Sequence, residues 1–231
     1  MRSGRDFTIY VFLTIAAALL LLLVSLVGPG GSDLPSNERY IVALAFIACC
    51  IFGMVVSLRP RCHRFGKGAR KSDLSRSNPS QGRRLIGHHP DCGSFDGHVI
   101  AIRGRRYCGG CLGLALGSLA AAIIMVVLIF IDWAPQSIGL PLLIAGLGLV
   151  ALALAETAHH LGPGAIHVLM NAALVIGFLL TVVGVTTATQ SGGYGLIAIV
   201  LCLLWMDTRV QISDWKHARV CDDCPQGCKS Y

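Results

Sequence analysis

Residues 85–117 read Leu85-Ile-Gly-His-His-Pro-Asp-Cys-Gly-Ser-Phe-Asp-Gly-His-Val-Ile-Ala-Ile-Arg-Gly-Arg-Arg-Tyr-Cys-Gly-Gly-Cys-Leu-Gly-Leu-Ala-Leu-Gly117. The stretch changes character at Cys108-Gly-Gly-Cys111. Before that point it is polar and carries cysteines and histidines. After it, no charge occurs until Asp132. About 20 apolar residues span a bilayer, so 110–131 reads as a membrane helix joined directly to a small Cys/His module over 85–111.

Four residues of the module are soft-metal ligands in sequence order: Cys92, His98, Cys108 and Cys111. His98-Val-Ile-Ala-Ile alternates weakly, Arg103-Gly104 is a turn pair, and Arg105-Arg-Tyr-Cys returns, which predicts a hairpin. Gly109-Gly110 permits a tight turn between two thiols. Zinc takes four N or S ligands in a tetrahedron, and a Cys-x-x-Cys turn supplies two of them. Cys111 also opens a helix, where the positive end of the dipole favours a thiolate. Zinc is the expected metal, with iron–sulfur or haem as the coloured alternatives. No Cys-x-x-Cys-His occurs, which speaks against c-type haem. A redox dithiol is the competing reading of the pair.

Outward from this stretch the chain is a membrane protein by composition. Its 231 residues are 54% hydrophobic and 13% charged, where a soluble domain averages about 25% charged. Two further spans precede the module, at 7–27 and 40–58, and form an N-terminal membrane region over 1–58. The first is too long for a signal-peptide core, and Val27-Gly-Pro-Gly-Gly-Ser is no small-x-small cleavage site, so an uncleaved anchor is expected. Residues 59–84 hold nine basic residues against Asp73 alone. They have too little apolar surface to build a core and read as a basic flexible linker. A four-helix membrane region over 112–212 follows, with spans at 110–131, 138–154, 168–189 and a short one at 194–206, which 207–212 extend towards the interface. The expected fold is all-α, with about six transmembrane helices, ending in a polar, Cys-rich tail over 213–231.

Cytoplasmic loops carry an excess of Lys and Arg. With six spans and the N-terminus inside, eighteen of the nineteen basic residues fall inside, and only Arg39 lies outside. The expected location is the inner (plasma) membrane, multi-pass, with both termini cytosolic. This also accounts for the net charge of +7: basic residues set topology and attract anionic lipid, so nucleic acid is not an expected partner. The lipid bilayer is one, and no protein partner can be read. On the cytosolic side the seven cysteines outside the spans point to metal or redox chemistry rather than disulfides. All eight histidines also fall on the inner side, which suggests a shared site there.

Two weaker ligand sets lie on that side. Glu156, His160 and His167 flank the turn between the fourth and fifth spans, with Asn171 one turn deeper. Glu156 is placed to meet His159 or His160 at i+3 and i+4. Ionisable groups near membrane depth are costly and are usually functional or paired. The tail offers His217, Cys221, Cys224 and Cys228. Cys49, Cys50 and Cys202 lie within spans and read as small packing residues.

At Tyr107-Cys-Gly-Gly-Cys-Leu-Gly-Leu-Ala-Leu-Gly117 the chain resembles an uncharacterised prokaryotic membrane family, domain of unknown function 2085. That family shows a Cys-x-x-Cys followed by a Gly-rich apolar helix, with a His/Cys stretch upstream. The resemblance covers about residues 85–190. The family's usual Arg and Thr around the second cysteine are replaced here by Gly110 and Leu112. The resemblance implies the architecture and the weight on Cys108 and Cys111, and it implies no reaction.

The expected function is thus a membrane protein with a cytosolic zinc-type module, structural or sensory. A membrane redox or metal-dependent enzyme using the Cys-x-x-Cys or the Glu/His cluster is the first alternative. A metal-ion transporter is the second, and the lack of charge at the span centres counts against it. No nucleotide-binding loop or nucleophile elbow occurs, and the sequence leaves open whether the chain is an enzyme.

Overall fold

A computed structural model describes residues 4–28, 34–58, 97–131, 133, 135–159 and 163–222. Six helices carry the fold: α1 Gly4–Val27, α2 Ser36–Leu58, α3 Gly109–Phe130, α4 Gly139–His159, α5 Gly164–Thr189 and α6 Gly192–Asp222. Each is long and apolar enough to cross a membrane. Their outward faces are apolar too. Phe12, Leu19, Leu23, Phe52, Phe130 and Val200 are all exposed, a surface that water would penalise and lipid would not.

α5 is the most enclosed helix, and α3 and α4 pack against it. Small residues let the backbones approach. A Cβ at Gly117 would lie 2.7 Å from Ala172 Cα, and one at Gly146 would lie 2.6 Å from the Thr181 amide. Trp205 of α6 is buried beside Phe178 and donates its indole N–H to the Thr14 carbonyl at 3.3 Å, which ties α6 to α1. Cys50 and Cys202 lie in this core, as their packing role predicts.

At one end of the bundle, Gln190 closes α5 in the left-handed region (φ 52°). A glutamine is unusual there. Its side chain helps hold the turn by donating to the Thr187 carbonyl at 2.7 Å and accepting from the Leu34 amide at 2.8 Å. Glu38 accepts from the Gly192 amide at 2.6 Å and joins α2 to α6 at the same end.

At the other end the predicted hairpin forms. β1 Val99–Ile102 pairs antiparallel with β2 Arg105–Cys108, and Val99 faces Cys108. Arg103 (φ 48°) and Gly104 (φ 71°) make the two-residue turn, with the positive angles that a type I′ turn requires.

One expectation needs correction. The last span is not short: α6 has 31 residues, about 45 Å at 1.5 Å per residue, so its C-terminal part extends past an apolar layer of about 30 Å. Residues 213–222 therefore continue the bundle, where the sequence suggests a separate tail. The hairpin packs on the N-terminal turn of α5. A Cβ at Gly164 would lie 3.2 Å from Ile100 Cγ1 and 3.3 Å from the Val99 carbonyl. The linker 59–84 lies outside the described residues.

Candidate functional site

The N-terminus of α3, the C-terminus of α4, the N-terminus of α5 and the far part of α6 all meet at the hairpin end. The strand register sets the first pair of residues. Because Val99 faces Cys108, His98 and the Cys108–Gly109 peptide fall side by side. A Cβ at Gly109 would lie 3.3 Å from the His98 carbonyl and 3.5 Å from His167 Cβ. It would also lie 2.9 Å from the Gly164 carbonyl, so glycine at 109 lets α3 and α5 touch.

The imidazoles follow from that contact. The His98 ring stacks on His167 with centroids 4.5 Å apart and an 18° interplanar angle. His217 stands edge-on to His98 at 6.4 Å. On the other side, His167 Nδ1 lies 2.6 Å from Glu156 Oε1. Glu156 is 2% exposed. Neither of its oxygens receives a hydrogen bond of good angle from a described residue, so distance and charge define this pair rather than bond geometry. Asn171 donates to the His167 carbonyl at 2.6 Å, one turn back along α5. Ser213 lies 3.4 Å from His217 Nε2.

The two thiols sit above this layer. Cys108 ends β2 and is the N-cap of α3, with extended backbone angles and 1% exposure. Cys111 stands in the first turn of α3, half-buried, and neither cysteine is in a disulfide. Arg209 of α6 approaches the turn between them. It is 8% exposed, and its Nη2 lies 2.9 Å from where a Gly110 Cβ would be. Cys108, Cys111, Glu156 and Asp214 are the ionisable side chains near its guanidinium.

The structure therefore brings together residues that the sequence places in three separate sets. His98, Cys108 and Cys111 come from the first, His217 from the tail set, and Glu156 and His167 from the inter-span set. Cys92, His160, Cys224 and Cys228 lie outside the described residues, and Cys221 is described only as backbone in the last turn of α6. Glu156 finds its partner across the inter-helix turn in His167, where helical spacing suggests His159 or His160. Among the described residues, no three His, Cys, Asp or Glu side chains are arranged to hold a metal ion. His98 and His167 lie nearly face to face, and the lone pairs of an imidazole lie in the ring plane.

Arg209 is the residue that sequence reasoning missed, since it counts there only as one more inner basic residue. A signal exists. Cys202, Trp205, Arg209 and Ile212 follow helical spacing, and all four are buried. Carrying the period past Met206 places Arg209 on the inward face.

Compared with known proteins, the chain matches no family model, no curated protein and no solved structure.

Proposed function

We propose that this chain is a multi-pass inner-membrane protein whose cytosolic end binds a soft metal ion, zinc by the chemistry of its donors. Cys108 and Cys111 are the first two proposed ligands, and His98 and Cys92 would have to close on them, since no three described side chains are gathered around one point. The role is structural or sensory. One observation carries the reading: the hairpin register sets His98 against the Cys108–Cys111 turn, and His167 and His217 close in behind it. Zinc prefers such thiol and imidazole donors. Metal-ligating histidines are also commonly backed by a layer of hydrogen-bonding or charged groups, and Glu156 with His167 offers one.

The orientation in this proposal rests on the bias of basic residues. The basic linker and hairpin favour an anionic leaflet. The resemblance to domain of unknown function 2085 is part of the same proposal and adds no activity to it.

A second reading is a thiol redox site, supported by a thiol pair at a helix N-terminus with the Arg209 guanidinium against Gly110 between them. A cation and a helix dipole both favour the reactive thiolate. One experiment separates the two. The protein is purified in detergent without chelator, and its metal content and absorption spectrum are measured. Zinc at one equivalent without colour supports the first reading. Absence of metal together with a reversible Cys108–Cys111 disulfide supports the second and removes the first.

A further inference from the structure

Arg209 is more than nine-tenths buried, at 8% exposure, and its Nε has no hydrogen-bond partner among the described residues. A charged donor withdrawn from water is costly unless an acceptor meets it. Two carboxylates stand near the guanidinium, those of Glu156 and Asp214. Glu156 Oε1 lies 2.6 Å from His167 Nδ1, and Asp214 is exposed. Neither meets the buried Nε.

The tip of the guanidinium points at donors. Gly110 stands in the first turn of α3, and a Cβ there would lie 2.9 Å from Arg209 Nη2 and 3.8 Å from Asn171 Nδ2. Asn171 is buried and gives an N–H to the His167 carbonyl. A carboxamide nitrogen carries a second N–H. The first amides of a helix have no acceptor within it, and Cys108, the N-cap, makes no side-chain cap hydrogen bond. A guanidinium, a carboxamide N–H and the positive end of a 22-residue helix therefore converge at Gly110.

We infer that Arg209, Asn171 and the first turn of α3 bind a phosphate group. Its tetrahedral oxygens accept from several directions, and a helix start favours such an anion. The Nε and Nη groups of an arginine form a planar fork that meets two oxygens of one phosphate. The buried Nε leaves one edge of that fork open. The depth suits the ligand. Arg209 stands about 26 Å along α6 from Gly192, at 1.5 Å per residue, close to the edge of an apolar layer of about 30 Å. Lipid phosphates lie at that depth, and free phosphate approaches it from the water. The site needs no metal, because it is built of N–H donors.

The test is phosphate binding by the full-length protein in detergent, with EDTA present throughout. Inorganic phosphate is titrated by calorimetry, and dioctanoyl phosphatidic acid is added in a parallel series read by native mass spectrometry. Wild type takes up one equivalent of phosphate groups. Uptake of both probes makes free phosphate the source, and uptake of the lipid alone makes it a headgroup. Arg209→Gln weakens binding by at least about tenfold, the worth of a hydrogen bond to a charged group. Arg209→Lys keeps the charge without the fork and recovers only part of the affinity. Gly110→Ala weakens binding because its methyl group meets Nη2, and Asn171→Asp weakens it by placing a carboxylate against the anion. These two variants keep Arg209 and carry the test if Arg209→Gln does not fold. A purely structural Arg209 predicts lower thermal stability in Arg209→Gln and no uptake of either probe by wild type. That result overturns the inference, as does equal affinity in wild type, Gly110→Ala and Asn171→Asp. Failure of the metal reading leaves the inference standing, since the chelator keeps metal out of every measurement.

Discussion

Replacing Glu156 by Gln tests whether the inner layer of the site is a buried charged pair. The carboxylate is 2% exposed and lies 2.6 Å from His167 Nδ1. An exposed pair of this kind contributes only about 0–1 kcal/mol. Breaking a buried pair by removing one charge costs about 3–5 kcal/mol, because the other ion stays behind without compensation. Glutamine keeps the size and one acceptor oxygen, so the expected loss falls below the full figure, at about 2–3 kcal/mol. For a chain of this size each kcal/mol moves Tm by about 2–4 °C, so the variant should melt about 4–12 °C lower. The assay is thermal unfolding in detergent followed by tryptophan fluorescence, since Trp205 is buried in the core. His167→Gln and the double variant complete a cycle that isolates the pair. A melting point within about 1 °C of wild type would refute the reasoning, as would strictly additive single effects, and would mean that the two groups do not interact as charges.

Three further outcomes are expected. Cys108→Ser and Cys111→Ser should each lose bound metal and expose residues 85–111 to protease, because metal binding orders such segments; Cys62→Ser should do neither, and full metal retention in Cys108→Ser would end the metal reading. Ile102→Cys, at an exposed hairpin position, should react with a membrane-impermeant maleimide only after cells are permeabilised; labelling in intact cells would invert the topology. Gly117→Leu should destabilise the bundle by at least about 1–3 kcal/mol, because its Cβ meets the α5 backbone 2.7 Å away at Ala172; an unchanged unfolding midpoint would show that α3 and α5 do not pack as described.

The helices were legible because the apolar runs are long and their ends are marked. Asp132, Gln190 and the Gly162-Pro-Gly164 turn each interrupt hydrophobicity at a point where backbone groups need other partners. The hairpin was legible from Arg103-Gly104 and the short alternating runs beside it. The length of α6 was hidden because hydropathy falls after Met206, although the helical period continues through Arg209 and Ile212. Hydropathy reports what lipid tolerates. It does not report which face of a mixed helix turns towards neighbouring protein, so Arg209 reads as one more basic residue and His217 as part of a separate tail set.

The sequence alone determined what each short stretch can do: six apolar spans, a thiol pair at a helix start, and His, Cys and Glu residues in three sets. Those properties follow from hydrophobic length, turn chemistry and ligand type, and all are local. Only the tertiary structure decided that the sets share one end of the bundle in mutual contact. The glycines at 109, 113, 117 and 164 let α3, α5 and the hairpin approach to backbone distance, and that approach sets His98 on His167 and Arg209 over Gly110. Contact between residues more than a hundred positions apart depends on how helices cross, which no local pattern encodes.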